Sequence, residues 1–404
     1  MSGFWQRKPP APSWWSQWNP FYFPVEHVED RSDPPPDYGY FCQSLSTRLM
    51  RKEPELRFPS RRCRSQLQTP DQPGRLHNHF NASSDLCTVG PQLSNQHGML
   101  FAASSMLATH KLIPIFGECK VNINNDILFP ANMYWKHDKW YEYSDAQDIS
   151  WQDKDDVMPW RGGTSGGLAF EDKPEEWKKM HRQRLVSLTN ATTLDDSTIS
   201  VFADSKTGTY APASFQPSKF AAQHTDVGFT GFIACLPNCS FYETIFSLKS
   251  IKSLAQTFRS KYLVDVDGHS FSGRWRAFLQ SRSLGIKARI FREWHDSRLF
   301  AWKHFVPMDN RFDELYNLLT YFIGLSPTEN AGPMVRRHDH EAQLIASQGR
   351  EWADRVLRRE DMEIYLSRLL LEYGRVIDDE RDYIGFTGDG GAVMREFDRL
   401  VPSV

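Results

Sequence analysis

The chain has 404 residues, a formal net charge of -2 from 48 Lys+Arg against 50 Asp+Glu, 40% hydrophobic residues and 13% aromatic residues. This composition excludes a disordered tail protein and a basic nucleic-acid binder, because it holds apolar surface to bury and no cationic excess. At roughly 100 to 200 residues per domain the length predicts two or three units, enough for a two-lobed enzyme.

Residues 1–85 read as irregular, since Pro9-Pro10, Pro12, Pro34-Pro35-Pro36 and the stretch from Pro70 to Gly74 interrupt every periodicity. Trp5, Trp14, Trp15 and Trp18, with Phe21, Tyr22 and Phe23, are too aromatic for a solvated linker, so this segment is expected to wrap a folded body. The start offers prolines and tryptophans where a secretory leader needs an apolar core. The most apolar run, Leu100 to Phe116, is broken by His110, Lys111 and Pro114, short of the ~18 to 20 residues of a membrane span. Six cysteines and three acceptor sequons, at Asn81, Asn190 and Asn238, leave lumenal and cytosolic readings both open.

Further along, the pattern predicts a helix over Met99–Ala108, a short β run at Ile113–Phe116, and a strand ending in a loop at Asp126–Pro130. Trp151–Gly167 turns from acidic to glycine-rich, which suggests a lobe boundary near 150–158. Gly228–Cys235 reads as a buried strand, and Gly285–Phe291 and Trp302–Pro307 as two more. Asp313–Phe322 reads as a helix. Met362, Tyr365, Leu366, Leu369, Leu370, Tyr373, Val376 and Ile377 mark one face of a long final helix with Glu360 and Asp361 in its first turn. Strands alternating with helices predict an α/β fold with a mainly parallel sheet.

The sharpest local pattern is the strand Lys261–Asp267, the loop Gly268–Gly273 and a helix starting near Trp275 with Ser272 as its candidate N-cap. A loop beyond a strand's carboxyl end, flanked by Arg274 and Arg276, suits an anion, although an ordinary βα turn with surface arginines has the same spacing. Trp160-Arg-Gly-Gly-Thr-Ser-Gly-Gly167 with His181-Arg-Gln-Arg184 is a second glycine-and-arginine cluster. Two clusters at separate strand-to-loop junctions favour a nucleotide diphosphate over either turn alone.

Other constellations point to structure. Asp265-Val-Asp267 is a bare D-x-D, and His338-Asp-His-Glu341 lies in a charged stretch that suits a solvated loop or helix start. Cys235 and Cys239 lack a second pair at zinc spacing and read as a disulfide or two buried thiols. Ser165 lacks the strand that a hydrolase nucleophile elbow requires.

Asp126-Ile-Leu-Phe-Pro130 with Tyr134-Trp135, Trp160-Arg-Gly-Gly163, Lys261 to Gly268 with Ser272-Gly-Arg274, Glu293-Trp294, and Trp302 to Pro307 together resemble the capsule-associated-protein and Rumi-like glycosyltransferases of family 90. Thr109–Phe116 and His181–Arg184 look like its fungal branch, and the similarity covers about residues 85–380.

The resemblance implies a GT-B-like pair of Rossmann-type lobes, the first expected to be incomplete. Residues 1–85 would be the irregular segment, 86–157 a partial acceptor-side lobe, 158–350 the donor lobe, and 351–404 a C-terminal helix and tail. It also implies inverting, metal-independent transfer from a UDP-sugar, typically of glucose or xylose, to a glycan or glycoprotein hydroxyl. The UDP-sugar is a co-substrate, and no cofactor is expected. Gly163 and Arg182, with Arg161 and Gly162, would meet the nucleotide. Gly268, His269, Ser270, Ser272, Gly273 and Arg274 would cradle the diphosphate. Phe129, Pro130 and Trp135 would line the sugar side, and Glu293 would contact the ribose or the loop.

The family's catalytic Asp lies in an Asp-Glu-Pro-Arg-like or Asp-Tyr-Pro-like motif, which finds no match upstream of Asp126; Asp30-Arg-Ser-Asp33-Pro34 is the nearest string. Gly163 and Asp267 are milder departures from the family pattern. The expectation is a shortened chain whose base, anchor and first strands precede Met1, with an inactive sugar-nucleotide or glycan binder as the alternative. The location implied is the Golgi or endoplasmic reticulum lumen, with membrane attachment only through a segment this chain does not contain.

Overall fold

The computed structural model describes residues 80–86, 93, 95–101, 114–136, 138, 140–205, 209–327 and 332–381. Most of the Pro- and Trp-rich segment, Ala102–Ala108 of the first expected helix, Thr109–Ile113, the Asp30–Pro34 string and the tail after 381 lie outside these residues.

Eleven strands are present among the described residues: β1 (Phe116–Gly117), β2 (Ile127–Leu128), β3 (Met158–Gly163), β4 (Ala169–Phe170), β5 (Ile199–Asp204), β6 (Tyr210–Phe215), β7 (Thr225–Gly231), β8 (Cys235–Leu236), β9 (Tyr262–Val266), β10 (Leu284–Ala288) and β11 (Val306–Pro307). β9, β10 and β11 form a parallel sheet with β10 in the middle, and β3 pairs parallel with β7. The two sheets meet at their amino ends, where the Asp155–Ser260 bridge is parallel and Lys261 N–H donates to the Asp155 carbonyl at 2.9 Å. Among the strands of the described residues only β5 and β6 pair antiparallel, with isolated antiparallel bridges at Lys120–Arg292 and Leu325–Val335.

β9 and β10 are buried at every position. Parallel strands covered on both faces read as continuous apolar runs, which is why Tyr-Leu-Val-Asp-Val is a strand despite its acid. Removing a side chain such as Leu263 or Val264 from water stabilises the fold by about 1.5–3 kcal/mol. The helix Leu315–Ile323 covers one side with Leu318, Leu319 and Phe322 in the largest core. The helix Asp339–Val356 packs against β10 and the helix Trp275–Gln280. There it approaches so closely that a Cβ on Gly349 would lie 2.2 Å from the His304 carbonyl oxygen.

The α/β expectation holds. Before residue 150 the described chain contributes the β1–β2 pair and short helical turns rather than a sheet of its own. These pieces dock on the main body. Lys120 and Arg292 exchange backbone bonds at 3.0 and 2.7 Å, and Phe80, Ala131 and Tyr134 share a core with Trp275, Phe278 and Trp294.

Several elements differ from the sequence reading. Of the helix expected over Met99–Ala108 the described part, Gly98–Phe101, is helical and the rest lies outside the described residues; Pro114 and Ile115 are not strand, and β1 begins at Phe116. Gly228–Cys235 is not one strand: β7 ends at Gly231, Ala234 turns with φ 59°, and β8 starts at Cys235. Trp302–Pro307 keeps only β11, because Trp302 has φ 64° and closes a turn on Phe305. The cap before Trp275 is Arg274, whose side chain makes no bond to the helix end, rather than Ser272. The charged stretch at His338 is, as expected for a helix start, the opening of the 18-residue helix Asp339–Val356. In the last helix, Arg359–Ile377, Met362 is fully buried while Leu366, Leu370, Val376 and Ile377 are exposed.

Candidate active site

The carboxyl ends of β3 and β9 bring the two glycine-and-arginine clusters together. β3 ends in a bulge between Gly162 and Gly163 and runs into Thr164–Gly167, where the Thr164 hydroxyl donates to the Ile233 carbonyl at 2.8 Å. Gly166 has φ 106°, in the left-handed region that side chains resist, and a Cβ there would lie 2.4 Å from the His181 ring. β9 ends in Asp267 and a tight loop in which Gly268 N–H donates to the Ser270 carbonyl at 2.8 Å. His269 joins the two loops, its Nδ1 accepting from Gly166 N–H at 3.3 Å.

Arg182, from the helix His181–Leu188, sits between these loops. Its Nε donates to the Asp267 carbonyl at 2.7 Å, and its Nη1 to the Gly163 carbonyl at 3.0 Å and the Ser165 hydroxyl at 2.6 Å. Arg274 donates from Nη1 to the Arg161 carbonyl at 2.6 Å. Both guanidinium groups lie against the Trp160 ring. Among the described residues neither forms an ion pair with a carboxylate; their partners are carbonyl oxygens and a hydroxyl. Burial and the neighbouring Arg274 charge pull the Arg182 pKa down to about 9, and burial lowers that of Arg274. The Asp265 and Asp267 carboxylates act on Arg182 and the Asp265 carboxylate on Arg274 through space, without bonding to either guanidinium.

Other expected residues have structural partners. The Arg161 side chain is turned onto Asp226 with two bonds at 2.9 Å, so it is the Arg161 carbonyl that reaches the site, through Arg274. Asp265 pairs with Lys287 at 3.1 Å, and Asp267 accepts from Ile290 N–H at 2.6 Å, so both acids of the D-x-D are engaged in the core. Glu293 is buried, accepting from the Tyr134 hydroxyl at 2.7 Å and Lys287 at 3.2 Å. Burial raises its pKa to about 7 despite the opposing Lys287 charge. Phe129 and Pro130 follow β2, half-buried. Trp135 is 44% exposed with the Arg359 guanidinium 5.9 Å from its ring centroid. The Gly268–Arg274 loop is covered by Met133 and Tyr141, which a Cβ on Gly273 would strike.

Sequence reasoning missed a stacked histidine pair under the loops. The His97 and His181 rings lie 3.8 Å apart and nearly parallel, His181 Nε2 is 2.8 Å from the Asp267 carbonyl oxygen, and His97 Nε2 is 3.5 Å from the Asp267 carboxylate. His181 was visible beside Arg182, whereas His97, 84 residues earlier in a polar stretch, carries no local signal. Cys235 and Cys239 form a disulfide next to this region, with Cα atoms 5.2 Å apart.

A parallel-stranded α/β body with two guanidinium groups converging at the carboxyl ends of its strands places the candidate site where α/β proteins bind ligands. A sequence model described as Glycosyl transferase family 90 matches residues 242–381, which carry β9, the glycine loop, Arg274 and Glu293. An O-glucosyltransferase rumi homolog from Anopheles gambiae is 30% identical over 130 residues, covering 31% of this chain and 29% of that protein. O-glucosyltransferase rumi from Drosophila pseudoobscura pseudoobscura is 30% identical over 125 residues, 30% of this chain and 27% of that one. Each match thus spans under a third of the relative's length. Over this segment the chain is similar to glycosyltransferase family 90 and to these rumi proteins.

Proposed function

We propose that the protein transfers a sugar, glucose or xylose, from a UDP-sugar to a glycan or protein hydroxyl, with inversion and without an essential metal. The observation that carries this reading is the pair Arg182, buried, and Arg274, half-buried, which share the Trp160 ring with no carboxylate hydrogen-bonded to either. Breaking the glycosidic bond to UDP builds negative charge on the leaving diphosphate. Guanidinium groups already oriented by protein carbonyls stabilise that charge without reorganising. Ser165, Gly268, His269 and Ser270 line the same loops and would shape the diphosphate subsite, with Phe129, Pro130 and Trp135 toward the sugar. Residues 158–350 act as the donor lobe and 86–157 as part of an acceptor-side lobe in a GT-B-like arrangement.

An inverting transfer also needs a base within hydrogen-bond reach of the acceptor hydroxyl. Glu293 and Asp267 are unsuited to that role, since each is buried and already hydrogen-bonded. A secretory-pathway location is supported by the Cys235–Cys239 disulfide, a bond that persists in oxidising compartments. No helix among the described residues is long and apolar enough to cross a membrane.

The test is a panel of UDP-sugars assayed for UDP release, with and without a chelator. Release from UDP-glucose or UDP-xylose that survives the chelator supports the proposal. Binding of UDP without release from any donor favours a non-catalytic sugar-nucleotide binder.

A further inference from the structure

Glu293 and Tyr134 lie far apart in sequence and meet in the core beneath the glycine loop. The Tyr134 hydroxyl donates to Glu293 Oε2 at 2.7 Å, and Glu293 Oε1 receives Lys287 Nζ at 3.2 Å, which in turn holds Asp265 of β9 at 3.1 Å. The Glu293 and Lys287 side chains are 0% and 3% exposed, so this chain of contacts is closed to a ligand. Beyond its own turn, where its N–H donates to the Ala131 carbonyl at 2.9 Å, Tyr134 contacts the segment that carries Arg274 and the residues just after Glu293. Its ring faces Phe271 and His295, each at 6.0 Å between centroids; its hydroxyl is 3.4 Å from the Ser272 carbonyl oxygen; and its own carbonyl accepts from Arg276 Nη1 at 3.1 Å.

We infer that the Tyr134–Glu293 pair is a positioning strut that fixes the Phe271–Arg276 segment, and so the Arg274 guanidinium, against the carboxyl ends of β9 and β10. This rests on the donor-site reading above and replaces a ribose contact at Glu293 with a role through Tyr134. Lys287 supplies the charge that keeps the carboxylate oriented. The remaining charged groups around it, Asp265, Asp296 and Arg289, are paired among themselves or with Lys287, leaving the Tyr134 hydroxyl as the link to the loop.

The experiment is calorimetric titration of UDP into the full chain and its variants, with hydrogen exchange of residues 268–276 measured in parallel. Tyr134→Phe and Glu293→Ala should each weaken UDP roughly tenfold, the scale of one charge-assisted hydrogen bond. The double variant should be no weaker than the worse single, because both remove the same link. Glu293→Gln, whose amide oxygen can accept from Lys287 while its NH2 donates to the Tyr134 hydroxyl oxygen, keeps the link and should bind within about twofold of wild type. Loop amides should exchange faster in Tyr134→Phe and stay protected in Glu293→Gln. The inference is overturned if Tyr134→Phe binds UDP as tightly as wild type, if the two losses multiply, or if loop exchange is unchanged. Should wild type itself not bind UDP, the donor-site reading fails, and the exchange comparison still decides the strut.

Discussion

Arg182 and Arg274 share one indole: their Cζ atoms lie 5.3 and 6.0 Å from the Trp160 ring centroid, on strands and helices that converge at the same sheet edge. Their mutual repulsion is opposed by carbonyl acceptors and by the ring face, and neither is neutralised by a carboxylate. On the proposed donor-site reading, a bound diphosphate would relieve that repulsion.

That relief predicts ligand-linked stability. Saturating UDP should raise the melting temperature, since a ligand at a hundred times its dissociation constant stabilises by about 2.7 kcal/mol. Uridine, which lacks the diphosphate, should leave it unchanged. A thermal shift series over UDP, UMP and uridine checks this.

The stacked histidines predict a pH effect with a definite sign. Burial depresses the pKa of His97 and, further, of His181, so the folded state keeps both rings neutral. The unfolded chain, with imidazoles near 6.5, takes up protons first as pH falls, which removes stability below that value. Relative to wild type, His97→Phe should therefore gain stability as pH drops from 7.5 to 5.5, the stack being kept and one titration removed. Parallel melting curves at the two pH values measure the difference.

Glu314 titrates the other way. It is buried beside Asp309 with Oε2 lacking a hydrogen-bond partner, and burial together with the Asp309 charge pushes its pKa up to about 8. The folded state holds the proton while the unfolded state has lost it, so this group costs stability progressively from about pH 4.5 up to 8 and by a constant amount above. Glu314→Gln should thus melt higher than wild type, by a margin that grows over that range and then levels off. At roughly 2–4 °C per kcal/mol the gain is several degrees at pH 8.5.

Gly166 predicts a purely geometric cost. With φ at 106° and the His181 ring where a Cβ would go, Gly166→Ala should lose roughly 1–3 kcal/mol in a denaturant titration. The loss should accompany weaker UDP binding, since the Thr164–Gly167 loop carries the Ser165 hydroxyl that Arg182 holds.

How far the sequence spoke depends on where the physics is local. β9 and the glycine loop were legible because five consecutive buried positions and a run of small residues leave few alternatives. The helix Asp339–Val356 was not, because it buries Ala342, Ala346, Gly349 and Ala353, small residues that allow close packing yet give a weak apolar stripe. Trp302 and Ala234 cut expected strands short by taking positive φ, a conformation that only their surroundings impose. In the site, Arg182 and Arg274 were visible as charge beside glycine. The onward pairing of Arg161 with Asp226, and of Glu293 with Tyr134, joins positions 65 and 159 residues apart that no local pattern connects.

The central claim is that Arg182 and Arg274 bind the diphosphate of a nucleotide. The most direct test is calorimetric UDP binding to Arg182→Ala, Arg274→Ala and Arg161→Lys, each checked for folding by its melting curve. Loss of a buried charge-assisted contact should cost the first two roughly a hundredfold or more in affinity. Arg161→Lys, whose side chain faces Asp226, should stay within about threefold of wild type. UDP affinity unchanged by removing Arg274 from a folded protein would contradict the account.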